Sequence, residues 1–403
     1  MSLFIAPPFG RPAFRYGMRT GTTEAIHKPA ARYNRPLTGR RENFGAWEEG
    51  GFAGFVPRER LMSGIDQMRA WVVDRPGPVT GEPLKLVHRA VPEPGPGQVR
   101  VRVLVCGVCR TDLHLAEGDL APKRQGVTPG HEVVGRVDAL GPGTGRFQIG
   151  DRIGVAWLGS TDMTCRFCLR GAENLCLSPR FTGWDQDGGY AEYVLVREEY
   201  AYALSDAFSD EQAAPLLCAG IIGYRALRQA ALPHGGRLGI FGYGGSAHLV
   251  AQVAVAEGAE VHVFTRSARA RELAMSLGAA SAGPSPVGQR IGLDAALLFA
   301  PAGSLIPIAL EALDRGATLA VAGIYVDAIP GLDYERQLFQ EKRLRSVTAN
   351  TRVDGEEFLA IASRIGINVT TTPYPLEQAD KALVDLSQGR VTGAAVLRVA
   401  EAG

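Results

Sequence analysis

Long apolar runs, charge of one sign and cysteine are all scarce in this 403-residue chain. No stretch approaches the roughly 18 consecutive apolar residues that a helical membrane span needs, so no membrane association is expected. Lys plus Arg number 43 against 42 Asp plus Glu, a formal net charge of +1. A nucleic-acid binder normally shows a basic patch or a strongly basic balance, and neither is present, so no nucleic-acid partner is expected. The N-terminus lacks the charged start, apolar middle and small-residue cleavage site of a secretory signal. Six cysteines in a chain of this length do not make a disulfide scaffold. Their spacing reads instead as metal ligands, which implies a reducing, cytoplasmic setting.

What is present is the composition of a folded protein, 46% hydrophobic and 21% charged, with length for two or three domains at roughly 150 residues each. Residues 1–67 stand apart. They are rich in Gly, Pro and Arg, broken at Pro7-Pro8, Gly10, Pro12, Gly17, Gly50-Gly51 and Gly54. No apolar period persists there, so the stretch reads either as a disordered extension or as upstream sequence before a later start at Met68. An Arg-rich targeting peptide is the rival, opposed by the density of Pro and Gly.

From Met68 to Cys218 the pattern is short and β-rich, with polar–apolar alternation over Gln98 to Val105 and Gly-Pro turns at Pro94 to Gly97 and Gly141 to Gly143. From Ala219 to Thr351 it changes. Strands are expected at Arg237–Phe241, Val261–Phe264, Ala295–Phe299 and Thr318–Ala322, with helices at Ala247–Glu257 and Ala270–Leu277. That alternation implies a parallel sheet with crossover helices. The tail, 352–403, mixes helices (Glu356–Ser363, Leu376–Leu386) with a last strand at Ala394–Val399.

Three residues scattered over the β-rich part have the chemistry of a catalytic zinc site: Cys109, His131 in Pro129-Gly130-His131-Glu132, and Cys218 in Leu216-Leu217-Cys218-Ala219-Gly220. Two thiolates and an imidazole supply three ligands and leave a fourth position open. A second cluster, Cys165-x-x-Cys168 with Cys176 eight residues on, reads as a metal knot. Asp162 has the spacing to be its fourth ligand, a carboxylate being a competent zinc donor. The alternative is an exposed Asp162 beside a three-cysteine site.

The expected strand Arg237–Phe241 runs into Gly242-Tyr243-Gly244-Gly245-Ser246-Ala247 and then a helix. Glycines in that context allow a tight turn and let a pyrophosphate rest on the helix N-terminus. An acidic residue at the end of the next strand would hold the free ribose hydroxyls of NAD. The chain has Phe264-Thr265-Arg266-Ser267 instead. A hydroxyl and a guanidinium at Thr265 and Arg266 suit a ribose phosphate, so NADP(H) is expected over NAD(H), unless Arg266 simply points into water.

Taken in order, the string Cys106 to His114, the Pro129–Glu132 motif, the cysteine cluster, Leu217–Gly220 and the glycine loop resemble the zinc-containing medium-chain dehydrogenases, in their alcohol dehydrogenase branch. The resemblance covers Met68 to Leu397. It implies an α/β fold class, a GroES-like β-rich catalytic domain over 68–218 completed by 352–403, and a Rossmann doubly wound sheet over 219–351. It implies two zinc ions per chain, a small alcohol or aldehyde as substrate, hydride transfer to or from a nicotinamide dinucleotide, and a homodimer or homotetramer. Residue by residue, it implies that Cys109, His131 and Cys218 hold the catalytic zinc. Asp162, Cys165, Cys168 and Cys176 would hold the structural one, although most relatives have a fourth cysteine where Asp162 stands. Glu132 is implied as the carboxylate near the metal, Thr111 as the proton-accepting hydroxyl, and His114 as the end of the relay to solvent. Asp112 is implied as the partner that orients the metal-bound histidine. Arg110 is implied at the pyrophosphate and Trp157 as a pocket wall, while Cys106 carries no ligand role. A hydroxyl can both accept and donate, and an imidazole titrates near working pH, which suits Thr111 and His114 to a relay.

The competing readings keep parts of this pattern. A zinc-free quinone or enoyl reductase would keep the glycine loop but lack Cys109, His131 and Cys218. A polyol dehydrogenase usually has a carboxylate where Cys218 stands. A non-catalytic dinucleotide- and zinc-binding module would not need the relay residues.

Overall fold

A computed structural model describes residues 67–400. The extension expected over 1–67 lies outside the described residues apart from Gln67, which opens the first strand.

The first half of the described chain is β-rich, as the alternation predicts. It contains β1 (Gln67–Val73), β2 (Leu84–Ala90), β3 (Gln98–Val108), α1 (Arg110–Glu117) and β4 (Val133–Leu140). After these come β5 (Arg152–Val155), β6 (Leu158–Ser160), β7 (Arg180–Phe181), β8 (Tyr193–Arg197) and β9 (Ala201–Ala203). β3 is the spine. Its first residues alternate between buried and accessible, and from Val103 onward it is buried throughout. It pairs antiparallel with β4 along most of its length and with β8 at its start. Its buried end delivers Cys109 into the turn before α1.

The second half begins with α2 (Asp210–Ala213) and α3 (Ala219–Ala230). Strands and helices then alternate through β10 (Arg237–Phe241), α4 (Gly245–Ala256), β11 (Glu260–Phe264), α5 (Ala268–Ser276), β12 (Ser281–Gly283), β13 (Leu293–Leu298), α6 (Leu305–Ala312), β14 (Leu313–Val321), α7 (Tyr334–Gln337) and β15 (Arg343–Ser346). The six strands form one parallel sheet in the order β12-β11-β10-β13-β14-β15. This is the doubly wound order, which reverses at β10 and opens a ligand crevice beyond that strand's carboxyl end. β10 is almost continuously apolar because helices cover both its faces. Observed and expected elements differ mainly at their ends. α4 starts at Gly245, two residues before the apolar period, because Gly244 caps it.

The tail divides. α8 (Arg352–Ile365) packs on α3 and α4, beside the parallel sheet. Thr351 caps it in a reciprocal box with Asp354, which also pairs with Arg225 of α3. Then β16 (Thr371–Pro375), α9 (Ala379–Ser387) and β17 (Ala394–Arg398) return to the first half. β17 pairs antiparallel with β3 and extends the mixed sheet, ordered β16-β17-β3-β4-β5-β9 with β8 beside β3.

Two interlocks hold α8. Phe358 is fully buried and occupies the space that a side chain at Gly220 would need: a Cβ there would lie 2.2 Å from the Phe358 ring. Gly355 likewise accommodates the ring of Tyr202 from the β-rich half. The start of α3, where Cys218 sits, is therefore braced by a helix more than 130 residues downstream, and hydropathy in the tail alone does not reveal it.

Candidate metal centre and dinucleotide crevice

Four of the residues singled out in the β-rich part converge. Ligand atoms of Cys109, His131, Glu132 and Cys218 all lie within 4.8 Å of one another. Cys109 and Cys218 are the N-cap residues of α1 and α3, and His131 and Glu132 immediately precede β4. The two sulfurs stand 3.9 Å apart, too far for a disulfide. Two thiolates at zinc–sulfur distance around one tetrahedral ion would be ~3.8 Å apart. His131 is buried and its Nε2 has no hydrogen-bond partner, an orphaned donor or acceptor that a metal bond would satisfy. The donor set and the geometry fit a zinc-sized cation.

The charges inside this cluster are ordered. A hydrogen bond from Cys218, outweighing burial, holds the Cys109 thiol well below its ordinary range, and the same bond pushes Cys218 up. The direction at Cys109 favours the thiolate form a metal ligand needs. Burial, then the negative charge at Cys109, pushes Glu132 well above the usual carboxylate range. Its carboxyl group fills the space left by Gly107, where an added Cβ would fall 1.8 Å from a Glu132 oxygen.

Asp112 connects the two halves of the ligand set. It is buried in the first turn of α1. Its Oδ2 accepts from the Cys109 backbone N–H at 2.9 Å, and its Oδ1 accepts from the Gly130 N–H at 3.0 Å. The same Oδ1 lies 3.2 Å from His131 Nδ1, a close approach rather than a well-aligned bond. Burial, the largest single influence, would push the imidazole down, but Asp112 and Cys109 together outweigh it and hold His131 well above its ordinary range. Tyr190, buried behind this carboxylate, donates to Oδ2 at 3.4 Å.

Thr111 and His114 share one face of α1, three residues apart. The Thr111 hydroxyl lies 3.8 Å from Cys109 Sγ. His114 Nδ1 donates to Asp119 Oδ2 at 3.0 Å, which leaves Nε2 as the acceptor nitrogen. Asp119 follows Gly118, whose left-handed turn (φ 90°) ends α1 and folds the chain back on His114. Arg110 is exposed at the start of α1. Trp157 meets the His131 ring edge-on at 4.9 Å and stacks on Phe181 and Trp184, centroids 4.9 and 6.0 Å away. Three aromatic rings thus line up beside His131, two of them contributed by residues that carry no motif.

The second cluster also assembles, with ligand atoms of Asp162, Cys165, Cys168 and Cys176 within 4.8 Å of one another. Asp162 Oδ1 accepts from the backbone of Cys165 and Thr164, which hold its carboxyl well below the usual range. At Cys165 burial is outweighed by the backbone N–H groups of Cys168, Leu177 and Phe167, which favour a thiolate. Burial pushes Cys168 up to about 12, the state of a thiol whose neighbours are already anionic. A bound cation would offset that rise by drawing on the negative charge of all four groups together.

The glycine loop lies at the carboxyl end of β10. Gly242 has φ 86°, and a Cβ there would press on the Ala300 backbone at 2.8 Å. A Cβ on Gly244, the cap of α4, would meet nothing within 4 Å, and one on Gly245 only Ala219 at 3.8 Å. Open backbone at a helix N-terminus is what a pyrophosphate requires. After β11, Thr265 donates its N–H to Gly283, and Ser267 caps α5. Arg266 is exposed, and Arg271 ties down the carbonyls of Thr265 and Arg266.

Comparisons with known proteins agree with this geometry. Residues 95–206 match the family model described as the alcohol dehydrogenase GroES-like domain. A probable alcohol dehydrogenase AdhA of Mycobacterium tuberculosis is 56% identical over 337 residues, 82% of this chain and 97% of that protein. The structure of a cobalt- and zinc-bound thermostable alcohol dehydrogenase from Pyrobaculum aerophilum superposes with TM-score 0.75 at 27% identity, covering 83% of this chain and 100% of the other. A CAD from Helicobacter pylori complexed with NADP(H) gives 0.74 at 25% identity, over 82% and 98%.

Asp112→Asn should weaken metal binding at the first site by roughly 10–100-fold, the usual effect of losing the carboxylate behind a metal-bound histidine. Cobalt(II) titration followed by thiolate-to-metal absorption measures this, and an unchanged affinity would remove Asp112 from its bridging role.

Proposed function

Because the chain belongs to the alcohol dehydrogenase branch of the medium-chain dehydrogenase/reductase family and is an oxidoreductase acting on alcohols, we propose that it interconverts a primary alcohol and its aldehyde on a catalytic zinc ion, with NADP(H) as hydride partner. The observation that carries this reading is the convergence of Cys109, His131 and Cys218 beside the Thr111 hydroxyl. Those three would hold the ion, which when bound polarises a carbonyl and acidifies a hydroxyl. Residues 68–218 with the tail strands are the catalytic part, and 219–351 the dinucleotide part. Gly242, Gly244 and Gly245 would hold the pyrophosphate of a dinucleotide at the crevice beside β10, with Arg110 contributing charge, and the bound dinucleotide would supply hydride chemistry.

Proton movement falls to α1. Thr111 would take up the alcohol's proton as it gives up its own, and His114, with its Nδ1 held by Asp119, would exchange a proton with solvent at Nε2; the two do not touch, and the bound cofactor's ribose would stand between them. Glu132, buried next to the thiolates, is the carboxylate that approaches the metal as ligands exchange. Trp157, Phe181 and Trp184 wall the pocket with apolar rings and exclude water. Thiolate ligands and six free cysteines suit a reducing compartment, the cytoplasm. Among the described residues, no helix is long and apolar enough to cross a membrane.

The NADP(H) assignment rests on the loop after β11. It carries Thr265, Arg266 and Ser267 and no carboxylate, so no acidic group there favours free ribose hydroxyls or repels a phosphate. A panel of primary alcohols and aldehydes with either cofactor, with and without chelator, tests both proposals. Activity should disappear on chelation, kcat/KM should favour NADP(H), and Arg266→Ala should cut that preference by roughly tenfold, the value of about 1.4 kcal/mol lost from one charge-assisted contact. A clear NAD(H) preference or full activity after metal removal defeats the corresponding part.

The second cluster, Asp162, Cys165, Cys168 and Cys176, is a structural zinc site in this reading. Elemental analysis of the purified protein should give two zinc ions per chain, and Cys176→Ser should bring the content to one. A wild-type content of one removes the structural ion.

A homo-oligomer completes the proposal. Among the described residues, β15 is an edge strand, paired only with β14 and exposed along its whole length, with Leu344 and the nearby Phe339 facing solvent. An unpaired edge of this kind is a template for a second copy of the same strand across a two-fold axis. Light scattering should return a mass of two or four 43.0 kDa chains, and a monomer would refute it.

A further inference from the structure

One ring in the β-rich half is covered by a residue from the parallel-sheet half that no motif marks. Tyr325 lies in the loop after β14, and its ring sits on that of His114 with centroids 4.4 Å apart and planes tilted by 44°. The loop holds it there. Gly323 donates its N–H to Leu298 O, and the Gly303 N–H donates to the Asp327 carboxylate, so the chain is pinned on both sides of Tyr325. Tyr325 itself has φ 56°, a left-handed conformation that a residue with a large side chain seldom adopts. Tyr325 stays half exposed, so burial of its ring is not what holds it in that conformation. The pinned loop and the contact with His114 are.

We infer that Tyr325 is a positioning residue for the proton relay. Asp119 fixes one edge of the His114 imidazole through Nδ1, and Tyr325 covers one face, so the ring has a single orientation for its Nε2. The seat comes from the loop beside the dinucleotide crevice and the histidine from α1, so the orientation of the relay depends on that loop being in place. The inference rests on His114 acting as the relay.

Three variants separate the ring from the backbone. Tyr325→Phe keeps the ring, Tyr325→Ala removes it, and Tyr325→Gly removes it while relaxing the left-handed backbone. In full-length protein with 13C-labelled histidine, the His114 ring protons should carry an upfield ring-current displacement that Y325F retains and that Y325A and Y325G lose. With alcohol and NADP, Y325A and Y325G should lose roughly tenfold in kcat, a part of the 10²–10⁴-fold that a positioned acid–base group supplies, with KM for the alcohol changed by less than about twofold. Y325F should retain kcat. Equal ring-proton shifts in wild type and Y325A, or an undiminished kcat in Y325A, overturns the inference, as does a loss in Y325A that Y325G restores. His114→Ala is the reference. If it leaves kcat unchanged, the relay reading fails and takes this inference with it, whereas a loss in His114→Ala without one in Y325A defeats the stack alone.

Discussion

The Asp112 carboxylate is the constraint on which the rest of the site depends. A buried charge is tolerated only when its lone pairs are engaged, and here the backbone of Cys109, the backbone of Gly130 and the Tyr190 hydroxyl engage them, with the His131 ring 3.2 Å away. One side chain therefore sets the distance between the turn that begins α1 and the loop that precedes β4. Those two segments carry Cys109 and His131, two of the three proposed ligands, and Thr111 and His114 follow on α1. Displacing Asp112 would therefore shift Cys109 and α1 relative to His131.

The glycines around this carboxylate exist for space. Gly107 leaves room for the Glu132 carboxyl, Gly130 for the Tyr190 ring and the Cys106 sulfur, and Gly220 for Phe358. Each lies within two residues of a ligand or of Glu132. The close packing of large buried side chains against bare backbone restrains Cys109, His131 and Cys218 without relying on the flexible stems that surface charges would need.

Much of this was readable in the chain. The order of Cys109, His131, the cysteine cluster, Cys218 and the glycine loop names the ligand candidates because each residue type has a narrow chemistry. The change from short alternating strands to regular strand–helix alternation near Ala219 gives the architecture, since a parallel sheet needs crossover helices. Other features were not readable. Phe181 and Trp184 bear on the pocket only through the stack they form with Trp157, and aromatic residues in a loop have no signature. Asp119 had a weak local signal, a carboxylate just past the glycine that ends α1. Tyr325 had none, because its partner lies more than 200 residues away and only the fold brings them together. The packing of α8 on α3 was hidden for the same reason: an apolar period shows that a helix face is covered but not by what.

Cys109 and Cys218 are 109 residues apart in sequence, and the second belongs to a helix braced by α8 beside the parallel sheet. An ion gripping both sulfurs would therefore be a clasp between the two halves of the molecule as well as a reagent. Closing a span of that length with a covalent link removes roughly 4 to 5 kcal/mol of freedom from the unfolded chain. A metal held there would draw on the same entropy, so its occupancy and the cohesion of the two halves would become one equilibrium.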